Sequence, residues 1–308
     1  MADFERYLVV GAGGVGGSIA GFLALAGKNV TCIARGAHLK AIRENGLTLI
    51  SDLKGKHTLR MSAYEAEEYT EKADVIFVCV KGYSLNSVAD LLRRASHAGT
   101  LIVPVLNVYG TGERIQSFLD EGTALDGCIY IVSFVSAPGE ITQMGRVFRL
   151  VFGIRKDSNV APEKIESINS ALVDSGIHVK VSDDINRDTF VKWSYISAMA
   201  CTGACFDVPM RDIQREGKER DVFIELSRES AETGRKLGIA IPEDILAHHL
   251  RILDSLAPES TASMQKDIAR GHQSEINDLL FNMIRTAERC GVNVPVYRMV
   301  AEKFKNFT

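Results

Sequence analysis

Residues 7–27 read YLVVGAGGVGGSIAGFLALAG. A short β-branched run, a glycine cluster, and Ala and Leu at helical spacing follow one another, and Gly27 stands where a helix stop is expected. The stretch predicts strand, tight turn and helix. Gly11, Gly13 and Gly16 spell GxGxxG in the context that gives this spacing meaning, directly after a strand and directly before a helix. The first glycine permits the turn, the second lets a pyrophosphate approach the backbone, and the third lets helix and strand pack closely, with the anion at the helix N-terminus. Gly14 and Val15, inside the motif, belong to the same cofactor-binding set.

Outward from this turn, residues 29–35 (NVTCIAR) read as a second strand, followed by a helix over residues 38–45 and two short β candidates at residues 47–50 and 57–63. Residues 74–80 (DVIFVCV) form a nearly unbroken apolar run, the pattern of a strand covered on both faces in a parallel sheet. A helix over residues 85–95 leads to residues 100–107 (TLIVPVLN), which have the same buried character. Residues 128–138 and 147–153 read as further strands joined by a glycine-containing turn region. A helix over residues 162–176 and a last strand at residues 177–182 complete the first half. Strands alternating with helices predict a doubly wound α/β domain of the Rossmann type.

The pattern then changes. From Asp184 onward the chain reads as helices only, punctuated by Pro209, Pro242, Pro258 and Pro295, so the division predicted is residues 1–182 for an α/β, NADP-binding domain and 183–308 for an all-α substrate and catalytic domain. Residues 190–206 (FVKWSYISAMACTGACF) are apolar on nearly every side and predict a central buried helix. Met264, Ile268, Ile276, Leu279, Leu280, Met283 and Ala287 predict a second long amphipathic helix between Ser263 and Cys290.

Composition bounds the function. The 308 residues are 46% hydrophobic and 24% charged with a formal net charge of -3, an ordinary globular balance that offers no basic surface for nucleic acid. Six scattered cysteines form no CxxC pair, adjacent His248 and His249 point to different sides of a helix, and nothing else has metal-ligand spacing, so no metal is expected. No apolar run approaches the ~20 residues that span a bilayer, and no secretory leader is recognised at the N-terminus, so a cytoplasmic protein without membrane partners is expected. Apolar helices in the second domain allow a homodimer.

Candidate site residues come from both halves. Arg35 stands at the end of the second strand, where an NAD-specific turn would carry a carboxylate. A guanidinium there can pair with a 2′-phosphate, which points to NADP(H); the alternative is a solvated strand-end charge. Lys81 and Asn107 follow buried strands, at the carboxyl ends where ligands bind, or are ordinary strand-end polar groups. Lys192 lies in a helix with almost no other charge; it is either a general acid with a depressed pKa or a lysine that packs its stem and reaches water. Ser263, Asp267 and Glu275 bring hydroxyl and carboxyl groups together in sequence, as a site or as a solvated helix face.

Taken together, VVGAGGVGG at residues 9–17, VKGYS at Lys81, LNVYG around Asn107, SAPGEITQMG at residues 136–145, FVKW at Lys192, SMQKD and SEIND resemble the ketopantoate reductase (2-dehydropantoate 2-reductase) family across the chain. The resemblance implies NADPH-dependent reduction of a 2-oxo acid to a 2-hydroxy acid, ketopantoate to pantoate in pantothenate biosynthesis. It implies catalytic roles for Lys192, as general acid to the carbonyl oxygen, and for Glu275, holding a substrate hydroxyl. It also implies substrate contacts from Ser263 and Asn107, and cofactor contacts from Arg35, Lys81 and Asn107. Two positions depart from the family pattern. Asparagines are common four and eight residues after the catalytic lysine; here Ile196 and Ala200 stand there, which leaves a more apolar 2-oxo acid as an alternative substrate. Ser194 and Ser197 project about 200° and 140° away from Lys192 on an unbroken helix and do not replace them. Ser263 and Glu275, twelve residues apart, would be ~18 Å apart on one continuous helix, so either the helix begins or bends between them, for instance at Gly271, or one of the two roles is wrong; a helix starting after Ser263 with an irregular first part is expected. Rival readings are a 3-hydroxyacid or polyol dehydrogenase and a non-catalytic NADP(H)-sensing protein.

Overall fold

A computed structural model describes residues 6–305. The chain divides into two compact units, residues 1–106 with 110–185, and residues 107–109 with 186–308. The chain thus changes unit at Ile185/Asn186 rather than at 182. The three residues Asn107–Tyr109 belong to the second unit, which the sequence did not announce.

Among the described residues the first unit carries eleven strands: β1 (Tyr7–Val10), β2 (Val30–Ile33), β3 (Leu47–Ser51), β4 (Gly55–Leu59), β5 (Ser62–Tyr64), β6 (Val75–Val78), β7 (Leu101–Pro104), β8 (Thr123–Ala124), β9 (Asp126–Ala137), β10 (Glu140–Gly153) and β11 (His178–Val181). Its helices are α1 (Gly14–Leu25), α2 (Gly36–Asn45), α3 (Ala89–Ala95), α4 (Thr111–Gln116) and α5 (Pro162–Asp174). Six strands form one sheet in the order β5-β2-β1-β6-β7-β8, parallel throughout. Counted among themselves these run 3-2-1-4-5-6, the doubly wound order, with its reversal point between β1 and β6. Each of β1, β6 and β7 is buried along its whole length, which is why their sequences are apolar without alternation.

A second sheet, in the order β11-β10-β3-β4 with β9 paired to β10, adds to the expected fold. Its centre is the β9–β10 hairpin, antiparallel from Asp126/Gly153 to Ala137/Glu140 and interrupted by a bulge between Met144 and Phe148. The second strand of that hairpin begins at Glu140, well before the run at residues 147–153 that the sequence pointed to. Polar, alternating Glu140–Gln143 and the bulge hide its first half. Helix α1 lies between the two sheets. A Cβ at Gly14 would meet the backbone of Ser133 and Phe134, one at Gly17 would meet Ile141 and one at Gly21 would meet Leu49. Glycine at these three positions therefore brings the second sheet onto α1, a role separate from the dinucleotide motif.

The second unit holds α6 (Ile185–Phe206), α7 (Met210–Gln214), α8 (Lys218–Lys236), α9 (Ile245–Ser255), α10 (Ser263–Ala269), α11 (Asn282–Arg289) and α12 (Pro295–Glu302), and no strand among the described residues. As its sequence predicts, α6 is buried on most sides, within a core that includes Trp193, Phe223, Leu280, Met283 and Tyr297. The long helix expected from Ser263 to Cys290 is corrected. Helix α10 starts at Ser263 itself and ends at Ala269, Gly271 takes φ +66°, and a π-helical turn at Asn277–Phe281 leads into α11. A left-handed glycine ends the first helix because no continuing helical residue can adopt that φ at low cost. Among the described residues no helix is long and apolar enough to cross a membrane.

Candidate active site

The glycine turn is open and uncapped. Gly11 has φ +96°, and a Cβ there would lie 2.9 Å from Val80 Cγ1, so the turn sits against the residue that precedes Lys81. A Cβ at Gly16 would overlap the Gly11 carbonyl oxygen, which closes strand on helix. At Gly13 a Cβ would meet nothing within 4 Å, so the space over the middle of the turn is open to a ligand. Helix α1 has no side-chain cap and no acidic residue in its first turn, so its leading N–H groups, from Gly14, Val15 and Gly16, are left for an outside acceptor. These features fit a dinucleotide pyrophosphate. Arg35, exposed, is the N-cap of α2, two residues beyond β2, and the Ile33 carbonyl at the end of that strand accepts from Gly11 and Ala12 N–H. Lys81 follows β6 by three residues and caps a 3₁₀ turn. Arg35, the glycine turn and Lys81 therefore line the carboxyl ends of three adjacent strands.

In the second unit the structure joins two of the predicted residues. Lys192 is 6% exposed, and its Nζ donates to Asn107 Oδ1 at 2.8 Å. This acceptor is a neutral amide oxygen, which orients the Lys192 amine. Tyr109, two residues on from Asn107, is anchored on α6. Tyr109 stacks on Trp193 with ring centroids 5.7 Å apart, meets Phe190 edge-on at 5.1 Å, and donates its hydroxyl to Asn186 Oδ1 at 2.6 Å. Trp193 and Phe190 flank Lys192 in sequence, so one aromatic bracket fixes both partners of the pair.

Glu275 is 2% exposed and opens the turn that leads into the π-helical segment, where its carbonyl accepts from Asp278 and Leu279 N–H. A π turn turns carbonyls away from the regular ladder, and α6 collects two of them. Trp193 Nε1 donates to the Asp278 carbonyl at 3.2 Å and Ser197 Oγ to the Leu279 carbonyl at 2.5 Å. The segment carrying Glu275 is thereby docked on the helix that carries Lys192. Ser194 and Ser197 face away from Lys192, bonding the Val191 carbonyl and the Leu279–Tyr297 pair.

Ser263 is exposed at the start of α10, which meets α6 farther along. A Cβ at Gly203 would lie 2.9 Å from Gln265 Oε1, and Gln265 Nε2 donates to Asp207 Oδ1 and the Val208 carbonyl. Gly203 is eleven residues beyond Lys192, ~16 Å along the helix. The break at Gly271 frees Ser263 and Glu275 from one helix, and the contacts of their segments fall at different heights of α6. Ile196 is half-buried and Ala200 buried, so the two turns of α6 beyond Lys192 offer methyl groups where amides were expected.

Comparison with known proteins gives the family. Residues 7–157 match the family described as Ketopantoate reductase PanE/ApbA, and residues 184–307 match its C-terminal counterpart. The chain belongs to the ketopantoate reductase family. Members of this family are oxidoreductases acting on CH–OH groups, and this chain is one of them. It is 28% identical to the Bacillus subtilis protein named Uncharacterized oxidoreductase YkpB over 295 residues, 96% of each chain. It is 25% identical to a 2-dehydropantoate 2-reductase of Pyrococcus horikoshii, covering 94% of this chain and 93% of that one. A ketopantoate reductase structure from Ralstonia eutropha superposes with a TM-score of 0.88 at 24% identity, covering 98% of each chain, a likeness of fold. Sequence reasoning passed over Tyr109, Trp193 and His38 as functional residues. Tyr109 and Trp193 lay in quoted motifs, but only the folded chain brings them into contact.

Proposed function

We propose that the protein reduces a 2-oxo acid to the 2-hydroxy acid with NADPH, ketopantoate being the substrate that its curated relatives name. The observation that carries this reading is the Lys192–Asn107 pair, a buried ammonium held by a neutral amide in a chain that also carries an open, uncapped dinucleotide turn. A reduced dinucleotide held at that turn would supply the hydride for the carbonyl carbon. Lys192 donates a hydrogen bond to the carbonyl oxygen, stabilises the charge that grows there and delivers the proton that completes the alcohol. Asn107 keeps the ammonium aimed, and Glu275 accepts a hydrogen bond from a substrate hydroxyl. Ser263 is the further substrate contact that the family resemblance implies. Arg35 and Lys81 pair with the cofactor's phosphates, Arg35 with the 2′-phosphate.

Ile196 and Ala200 favour a second reading of the substrate alone, a 2-oxo acid with an apolar side chain. The test is to follow consumption of reduced nicotinamide with ketopantoate and with a panel of branched and aromatic 2-oxo acids. The highest kcat/KM with ketopantoate supports the first reading and with an apolar acid the second. No turnover with any 2-oxo acid rejects both.

A further inference from the structure

His38 is a half-buried residue of α2 whose two ring nitrogens are both engaged, one by each of two turns. The N–H of Gly139, in the β9–β10 turn, donates to Nδ1 at 2.9 Å, so Nδ1 carries the lone pair. The proton is then on Nε2, which donates to the Ala12 carbonyl at 2.8 Å. Burial holds the ring below its ordinary pKa, against the pull of the Ala12 carbonyl, in keeping with a neutral imidazole. The Ala12 residue is thereby gripped twice, its N–H by the Ile33 carbonyl at 2.9 Å and its C=O by His38.

A trans peptide is rigid, and its C=O and N–H point in opposite directions. The peptide whose oxygen His38 holds is Ala12–Gly13, and its N–H is that of Gly13. Gly13 is the residue over which the turn is open. Fixing Ala12 O therefore fixes the direction of the Gly13 N–H. The same imidazole ties in the hairpin turn. Gly139 is buried there, a Cβ on it would lie 2.8 Å from Ala41 Cβ of α2, and the hairpin's Ser133 and Phe134 lie against Gly14.

We propose that His38 is a positioning residue of the dinucleotide turn, aiming the Gly13 N–H at the cofactor's pyrophosphate through the Ala12 carbonyl and bracing the turn against the β9–β10 hairpin. The inference rests on dinucleotide binding as read above. Because the pyrophosphate is common to both nicotinamide dinucleotides, the role differs in kind from that of Arg35. Loss of His38 weakens NADPH and NADH alike, whereas loss of Arg35 selects against NADPH.

The test is fluorescence titration of the full chain with NADPH and with NADH, alongside steady-state kinetics, for the wild type and His38→Ala, His38→Gln and His38→Asn. Glutamine can place its amide nitrogen near the former Nε2 and keep the Ala12 bond; asparagine can place its oxygen near the former Nδ1 and keep only the Gly139 bond. His38→Ala is expected to raise both Kd values by about tenfold, the scale of one lost hydrogen bond to a fixed backbone group, with kcat at saturating cofactor near wild type. His38→Gln is expected to recover most of the affinity and His38→Asn little of it. Unchanged Kd values, a loss confined to NADPH, or equal recovery by the two amides would overturn the assignment, and the last comparison holds even if the alanine variant fails to fold. A wild-type chain that binds neither dinucleotide would overturn the cofactor reading together with it.

Discussion

The glycine turn and the Lys192 pair reach fixed geometry by opposite routes. In the first unit the turn is made by residues 11–16, next to one another in the chain, and is gripped through backbone groups. In the second, Asn107 and Lys192 are 85 residues apart in the chain and are brought to 2.8 Å by an aromatic bracket. A histidine from each unit differs in the same way. Both nitrogens of His38 have partners, whereas neither nitrogen of the fully buried His249 has one in good geometry, although the Val191 carbonyl partly offsets the penalty. Backbone holds the first site and side-chain packing the second. Polar groups left over therefore collect in the helical core, where Tyr195 Oη, 5.5 Å ring to ring from His249, is also unpaired.

This contrast can be broken, most severely at Lys192. Replacing it with alanine is expected to lower kcat by ~10² or more while Kd for NADPH changes little, because the ammonium is needed only where charge builds in the transition state. A kcat within a few-fold of wild type would remove Lys192 from the chemistry. Next comes acid stability. Burial, reinforced by neighbouring His248, lowers His249 from 6.5 to about 4. The folded state thus binds the proton later than the unfolded chain, and stability present above 6.5 is lost as pH falls toward 4. The loss attributable to His249 is roughly 3 kcal/mol. Urea unfolding of the wild type and of His249→Leu across that window should show the difference, and parallel curves would refute it.

A smaller effect sharpens the cofactor side. Arg35→Ala should raise KM for NADPH by about tenfold and leave KM for NADH nearly unchanged, as expected for one charge-assisted contact to a 2′-phosphate; equal changes would make Arg35 a surface charge. The smallest concerns the bracket. Tyr109→Phe removes the hydroxyl bond to Asn186 and keeps the ring that stacks on Trp193. It should cost about 1 kcal/mol of stability and lower kcat a few-fold, measured by thermal unfolding and kinetics. A loss as large as that of Lys192→Ala would mean that the hydrogen bond, not the stack, positions Asn107.

Much of the first unit was legible because its signals are local. A strand buried on both faces must be apolar throughout, and a turn at an anion site must be glycine where the chain reverses and where a phosphate lies. The second sheet was less legible. The outer face of its hairpin leaves Val132 61% and Phe134 46% exposed, so apolar residues there did not mark a core, and the polar start of β10 did not mark a strand. The break at Gly271 could be foreseen only as a geometric necessity between Ser263 and Glu275; the π turn that follows could not, since its carbonyls are satisfied by Trp193 and Ser197 from another helix.

The amino-acid sequence alone determined the dinucleotide turn, the order of strands and helices that surrounds it, and the lysine set in an apolar helix, since each is written in residues within one or two turns of each other. Tertiary structure alone decided that Asn107 faces that lysine, that Tyr109 stacks on Trp193, and that His38 grips the peptide before Gly13. Those contacts join segments far apart in the chain, and their geometry is set by packing and by which backbone groups remain unpaired once the elements have formed.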